Sequence, residues 1–162
     1  QGPIIGDNLA TAIYANSGNG VVHDAAVRDL EGIEELEGFT SFVRGWDPSY
    51  ASPTIMLSGM NCPIRIGNAT CMPGDIVLGK REGVLFIPPH LAEKVVMTSE
   101  VVRLRDMFGK LRLNEGTYTP GQIDRRWSDD IEADFSRWLE DHIDELPVPK
   151  EAIQELLKER TW

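Results

Sequence analysis

After Gly6 and Asp7, small and apolar residues recur every three or four positions through Leu9, Ala10, Ile13 and Tyr14, which predicts a turn feeding a helix that Gly18 and Gly20 stop. Gly20-Val21-Val22-His23 reads as a short buried strand. Asp24–Asp29 follows as a polar turn into a short helix over Leu30–Leu36. From Phe39 the pattern shortens into β-rich pieces: Phe39–Val43, Thr54–Leu57, Pro63–Ile66, Ile76–Gly79 and Val84–Ile87, separated by Gly, Pro and Asn. The last two pieces predict a hairpin across Lys80-Arg81-Glu82-Gly83. Pro88-Pro89 sets up a long helix with an apolar face through Leu91, Val95, Val96, Val102 and Met107, reaching about Leu111.

A polar link over Asn114–Gly121 separates this helix from the tail. Ser128 is placed to cap a helix carrying Ile131, Phe135, Trp138, Leu139 and Ile143 at helical spacing. Pro147 and Pro149 end it and begin another, with Ile153, Leu156 and Leu157. Helices and short strands interleaved in this way predict an α/β class. The expected division is an α/β domain over 1–112, a linker over 113–127 and an acidic helical extension over 128–162. The extension's apolar stripe calls for a cover, and the expected cover is a neighbouring subunit.

Charge sharpens this division. Ser128–Arg160 carries eleven acidic against four basic side chains, so −7 of the formal −10 lies in the last part of the chain. Neither part has the basic patch that releases counterions from phosphates, which disfavours a nucleic-acid partner. A composition of 41% hydrophobic and 26% charged residues excludes wholesale disorder. No apolar run approaches the roughly 18 residues of a membrane span. The expectation is a cytoplasmic protein without a membrane partner, its two cysteines, Cys62 and Cys71, reduced and outside any metal-finger spacing.

Familiar catalytic signatures are absent: the chain has no GxGxxG after a strand, no P-loop, no HExxH and no GxSxG. His23, His90 and His142 are too dispersed to read as a metal cluster. Trp46, Trp127, Trp138 and Trp162 read as packing anchors, and Arg125-Arg126 as a solvated helix start. There remains a charged set near the N-terminus. Asp7 stands at the mouth of the first helix, and Arg28-Asp29 follows twenty intervening residues later, after the first strand. In α/β units, helix entrances and strand ends converge on one edge, where ligands bind. That chemistry suits a small 2-oxo acid: the Asn8 and Leu9 amides at the helix start for its carboxylate, Arg28 as a clamp, and carboxylates for a divalent cation. The same residues also read as an Arg28–Asp29 ion pair beside a helix-capping Asp7.

The spacing of Asp7, twenty residues, then Arg28-Asp29 resembles the D-X20-R-D pattern of a family containing regulator of ribonuclease E activity A (RraA) and the 4-hydroxy-4-methyl-2-oxoglutarate and 4-carboxy-4-hydroxy-2-oxoadipate aldolases. Residues 20–29, GVVHDAAVRD, resemble that family's GVVVDGAVRD, and Pro73–Gly79 with Glu82–Pro88 resemble its PGDxVxxDxxGVxxIP stretch. The resemblance covers roughly residues 2–100. It implies a swivelling β/β/α domain that assembles into trimers or hexamers with active sites at subunit boundaries. It also implies a divalent-metal (class II) aldolase yielding pyruvate, with oxaloacetate decarboxylation through the same enolate. Carried over residue by residue, Asp29 is a ligand for Mg²⁺ or Mn²⁺, Arg28 binds the pyruvate part and stabilises its enolate, the Asn8 and Leu9 amides hold the carboxylate, and Asp7 positions the protonating water.

Two positions depart from the pattern: Ala25 replaces a glycine and Lys80 an aspartate. The candidate site also begins at residue 6, where family chains carry a substantial preceding segment. The resemblance therefore implies an RraA-like domain missing its N-terminal part, a fragment or one part of a split protein whose remaining core comes from a second chain. The alternative to the enzyme is a non-catalytic regulator that binds a ribonuclease or another protein. Asp7 favours the enzyme, because the family's regulators tend to lack the acid at this position.

Overall fold

The computed structural model describes residues 2–50 and 55–145 together with Pro149, Glu151 and Ile153. The chain forms two compact units that divide between Pro89 and His90. Among the described residues no helix is long and apolar enough to cross a membrane.

In the first unit, α1 (Asp7–Ser17) runs as the spacing predicts and ends at Gly18, whose left-handed backbone, φ 66°, lets its N–H reach the Tyr14 carbonyl. Two parallel pairs follow: β1 (Val21–Val22) with β3 (Ser41–Phe42), and β2 (Ala26–Val27) with β4 (Gly45–Trp46). The Asp24–Asp29 stretch is thus not the expected turn, because Ala26 and Val27 form a strand. The segment before α1 joins β2 on its other side: Pro3 bridges Ala26, Ile4 N–H donates to the Ala26 carbonyl at 3.0 Å, and Arg28 N–H donates to the Ile5 carbonyl at 3.0 Å. With neighbours on both sides, Val27 has no exposed surface. A strand buried this way shows an apolar run rather than an alternation, and this one is too short to announce itself. Ile5, Ala10, Val27 and Ile33 form the core, with α2 (Leu30–Glu34) supplying Ile33.

Two antiparallel hairpins complete this unit. β5 (Ile64–Ile66) pairs with β6 (Ala69–Cys71), and β7 (Ile76–Lys80) pairs with β8 (Gly83–Ile87) in the expected place. Thr54 lies outside the described residues, and Ile55–Leu57, expected to be β, form no strand. The hairpin faces stay open: Ile64, Ile76, Val77, Leu78 and Leu85 are all exposed.

The second unit is helical. A short 3₁₀ turn over Pro89–Leu91 leads into α3 (Ala92–Asn114), followed by α4 (Pro120–Ile123) and α5 (Asp129–His142), with Ser128 at the N-cap. The buried face of α3 is Val101, Leu104 and Phe108, whereas Val95, Val96 and Met107 of the expected face are exposed. Both sets satisfy helical spacing, and the aromatic tail decides between them. Leu104 and Phe108 close over Trp127, Ile131, Phe135, Trp138, Leu139 and Ile153. The tail's stripe therefore finds its cover within the chain and needs no neighbouring subunit, contrary to the expectation from sequence. Phe108 lies at the centre, with ring centroids 5.4 Å from both Trp127 and Phe135 and 5.8 Å from Trp138.

Arginines seal the edges of this core. Arg105 forms a fork to Glu132, at 2.9 and 2.7 Å, and lies 3.8 Å over the Trp127 ring. Arg112 makes a second fork to Asp134, at 2.8 and 3.0 Å, where the Tyr118 hydroxyl also donates at 3.1 Å. The Arg112 bonds hold the Asp134 carboxyl below its ordinary range, while burial and the neighbouring carboxylate push the Tyr118 phenol up. Ile153 N–H donates to the Pro149 carbonyl, and the rest of the expected last helix, including Leu156 and Leu157, lies outside the described residues, as does Trp162.

Candidate active site

The site forms where three adjacent parallel segments end. Pro3–Ile5 runs out into Gly6 and α1, β2 into Arg28 and Asp29, and β4 into the turn that leads to Tyr50. Parallel strands deliver their following loops to one edge, the usual place for a ligand in α/β units. A cavity of about 380 Å³ opens there, and Asp7, Asn8, Leu9, Arg28 and Asp29 all line it. All five sequence-selected residues thus meet in one place.

Local structure explains how. Asp29 occupies the left-handed region, φ 58° and ψ 50°, which costs a non-glycine residue about 1–2 kcal/mol although aspartate tolerates it better than most. Its carboxylate lies 3.2 Å from Arg28 Nε, and both side chains are roughly two-fifths exposed. Gly6 makes room for this pair: a Cβ there would collide with Asp29 Oδ2 and lie 3.0 Å from Arg28 Nε. Gly32 of α2 does the same for Asp7, since a Cβ on it would sit 2.7 Å from Asp7 Oδ2. Asp7 is the first helical residue rather than the cap, which is Gly6. Its Oδ1 accepts from the Asn8 amide at 2.7 Å. The first intrahelical bond runs from Ala10 N–H to the Gly6 carbonyl, so the Leu9 amide belongs to the first turn, where no helical acceptor is available.

The set suits a 2-oxo acid in its chemistry. Arg28 offers a planar fork for a carboxylate, and the helix start adds a partial positive charge. Mg²⁺ is commonly held through one or two carboxylates, with substrate and water oxygens completing the shell. Asp29, accessible at the cavity and reachable once it leaves Arg28, fits that donor type. Among the described residues no group of three or more His, Cys, Asp or Glu side chains converges on a metal position, so a cage built wholly from protein ligands is not what this site offers.

Pattern reading missed four residues. Gly6 and Gly32 pass as a turn and a helix interior, and their role shows only in what a Cβ would strike. Tyr50 and Ile55 line the cavity, with the Arg28 guanidinium 5.6 Å from the centre of the Tyr50 ring. The available signal was turn chemistry: Asp47 Oδ1 accepts from Ser49 N–H at 2.9 Å, marking a bend after β4. Nothing local says where that bend delivers Tyr50.

Elsewhere in the first unit, Asp24 bridges loops outside the cavity, accepting from Arg44 and, at 2.8 Å, from Gly67 N–H, and these bonds lower its pKa. His23 Nε2 is buried without a hydrogen-bond partner, and burial lowers its pKa. Of the expected packing anchors, Trp127 and Trp138 are buried and Trp46 is half-exposed, while Arg125 and Arg126 are exposed as a solvated pair.

Comparison with known proteins places this geometry in a class. The family model described as RraA-like, Aldolase/RraA, matches residues 1–86. The chain belongs to the RraA-like family. It is 31% identical over 120 residues to protein DlpA of Legionella pneumophila, covering 69% of this chain and 18% of DlpA. It is 33% identical over 81 residues to a Halalkalibacterium halodurans protein named "Putative 4-hydroxy-4-methyl-2-oxoglutarate aldolase", covering 50% of this chain and 38% of that one. The chain thus spans well under half the length of these relatives. A crystal structure of an uncharacterized protein from Pseudomonas syringae pv. tomato matches with a TM-score of 0.61 at 21% identity, covering 77% of this chain and 62% of that one. That likeness supports the mixed α/β fold.

Proposed function

We propose that the chain carries the site of a divalent-metal-dependent aldolase, a carbon–carbon lyase that cleaves a 4-hydroxy-2-oxo acid to pyruvate and also decarboxylates oxaloacetate. The observation that carries this reading is the convergence of Asp7, Leu9, Arg28 and Asp29 on one cavity at the ends of adjacent parallel strands. The name of the Halalkalibacterium relative points the same way.

Arg28 grips the pyruvate-half carboxylate and offers N–H groups to the oxygen that becomes negative. The Leu9 amide takes a second carboxylate oxygen, and the Asn8 amide joins when Asp7 releases it. Asp29 would hold Mg²⁺ or Mn²⁺, which would supply Lewis acidity for forming the enolate. As the 4-hydroxyl loses its proton to solvent, the C3–C4 bond breaks and its electron pair enters the pyruvate enolate. Asp7 orients the water that returns a proton to C3. Decarboxylation of oxaloacetate ends in the same enolate, with carbon dioxide as the leaving group, so the same residues serve it. The assembly in this reading is a homo-oligomer, a trimer or hexamer, with the exposed hairpin rows at its contacts.

A second reading, a non-catalytic RraA-like regulator that binds a ribonuclease or another protein, draws support from the Arg28–Asp29 ion pair and the Asp7–Asn8 bond, which satisfy these groups without a ligand. The deciding experiment follows pyruvate release from a 4-hydroxy-2-oxo acid. Activity is expected to vanish in EDTA and return with Mg²⁺ or Mn²⁺, and turnover unchanged in chelator overturns the metal mechanism. Asp7→Ala tests the role of this carboxylate: as an acid in the first helical turn it costs about 0.3–1 kcal/mol of stability, whereas as the holder of a catalytic water it costs about 10²–10⁴-fold in rate. A variant that keeps its rate removes Asp7 from the catalytic role, and absence of pyruvate release by the unaltered chain in Mg²⁺ or Mn²⁺ supports the regulator.

A further inference from the structure

Between α4 and α5 the chain makes a loop that is pinned at both ends. Gly109 of α3 lets Ile123 approach closely, since a Cβ on it would sit 2.9 Å from Ile123 Cγ2. The Trp127 indole N–H donates to the Ile123 carbonyl at 2.9 Å, and the Asp124 N–H donates to the Pro120 carbonyl at 2.9 Å. Asp124, Arg125 and Arg126 are held between these fixed points, all three exposed. With Asp106 of α3 they line a cavity of about 320 Å³, completed by Ile123, Trp127 and Arg105. Arg105 brings no available charge, because it is forked to Glu132 and lies over the Trp127 ring. The other four charges are unclaimed. Among the described residues the ion pairs of this unit join Arg103 to Glu100, Arg105 to Glu132, Arg112 to Glu115 and Asp134, and Arg137 to Asp134, and none takes in Asp106, Asp124, Arg125 or Arg126.

We propose that this cavity binds a small zwitterion, an α-amino acid with an apolar side chain. Two cations and two anions line one space without pairing, so a lone anion or a lone cation placed there meets repulsion as well as attraction. A zwitterion meets attraction of both signs. The guanidinium forks of Arg125 and Arg126 match its carboxylate, and its ammonium offers three donors to Asp106 and Asp124. In an α-amino acid both charges sit on one carbon, and the loop offers opposite charges on adjacent residues, Asp124 and Arg125. Ile123 and the Trp127 ring supply apolar surface for the side chain. The volume lies at the small end of ligand pockets, which run from about 300 Å³ upward, and so favours a single amino acid. The site lies within the second unit and does not depend on the aldolase reading.

The test compares leucine with two analogues that each lack one charge: 4-methylpentanoate has no ammonium and 3-methylbutylamine no carboxylate. Binding of each to the full chain is read by calorimetry. Leucine is expected to bind about tenfold or more tighter than either analogue. Arg125→Gln combined with Arg126→Gln, at exposed positions, is expected to weaken leucine about tenfold or more, with an unchanged circular dichroism melt confirming the fold. Asp124→Asn is expected to weaken leucine and to strengthen 4-methylpentanoate. Equal binding of leucine and 4-methylpentanoate makes this a plain anion site and overturns the proposal. Leucine affinity unmoved by the double arginine variant places the binding elsewhere, and no leucine binding at millimolar concentration leaves no amino-acid site at all; either result overturns it.

Discussion

The two units use side-chain volume in opposite ways. The second gathers Phe108, Trp127, Phe135 and Trp138 into one aromatic core and closes its edges with forked Arg–carboxylate pairs. The first is built around small and branched aliphatic residues, Ile5, Ala10, Val27 and Ile33, and leaves apolar rows open on its hairpins. The candidate site lies in the unit with the smaller core. Its residues stand on strand ends and helix starts, where backbone amides and carboxylates remain accessible. In the second unit Arg105 and Arg112 are held in pairs within the unit, which commits these two to packing. Regular packing and accessible polar groups compete for the same positions, and this chain separates them into two units.

Breaking the aromatic core should have the largest effect on stability. Phe108→Ala removes a ring in contact with three others and should destabilise the second unit by about 3–5 kcal/mol. Calorimetry should show two transitions, with only the helical one lowered, because the two core clusters share no residue. A single transition that moves as a whole would mean the cores are coupled.

Arg28→Lys attacks the other unit. It keeps the charge and loses the planar fork, so kcat for pyruvate release should fall about 10²–10³-fold with thermal stability nearly unchanged. Asp29→Asn should chiefly raise the Mg²⁺ concentration needed for half-maximal rate. Near-wild-type rates for both at saturating Mg²⁺ would reduce the pair to a surface ion pair worth little.

The Asp134 network sharpens the comparison through pH. Its folded pKa lies below the unfolded value of about 3.9, so it contributes stability that is present above that value and lost as pH falls through the folded pKa. The helical unit should therefore lose stability as the solution is taken below about pH 4. Asp134→Asn should cost about 2 kcal/mol at neutral pH, because Arg112 and Tyr118 lose a charged acceptor, and should flatten that acid dependence. Circular dichroism melts from pH 3 to 7 would check both.

The smallest effect is expected at Thr119, whose N–H donates to Gln122 Oε1 at 2.9 Å in a capping box at α4. Thr119→Ala should cost about 1 kcal/mol, read from the same melts. A larger loss would show that the connection between α3 and α5 does more than join them.

By itself the sequence determined the features whose signals are local. Helices α1, α3 and α5, the β7–β8 hairpin and the Asp7, Arg28, Asp29 spacing were legible because caps, periodicity and turn residues act within a few positions of themselves. Only the tertiary structure decided the rest. Ala26-Val27 is a strand because segments distant in sequence pair on both its sides, which suppresses the alternation that would have marked it. On α3, two stripes fitted the helical period, and the tail's aromatics chose Leu104 and Phe108. Tyr50 and Ile55 entered the cavity through the parallel pairing of β4 with β2, which carries the following chain to the same edge as Arg28. Periodicity reports that a residue has an apolar face, whereas the partner of that face is set by chain crossings that no local pattern encodes.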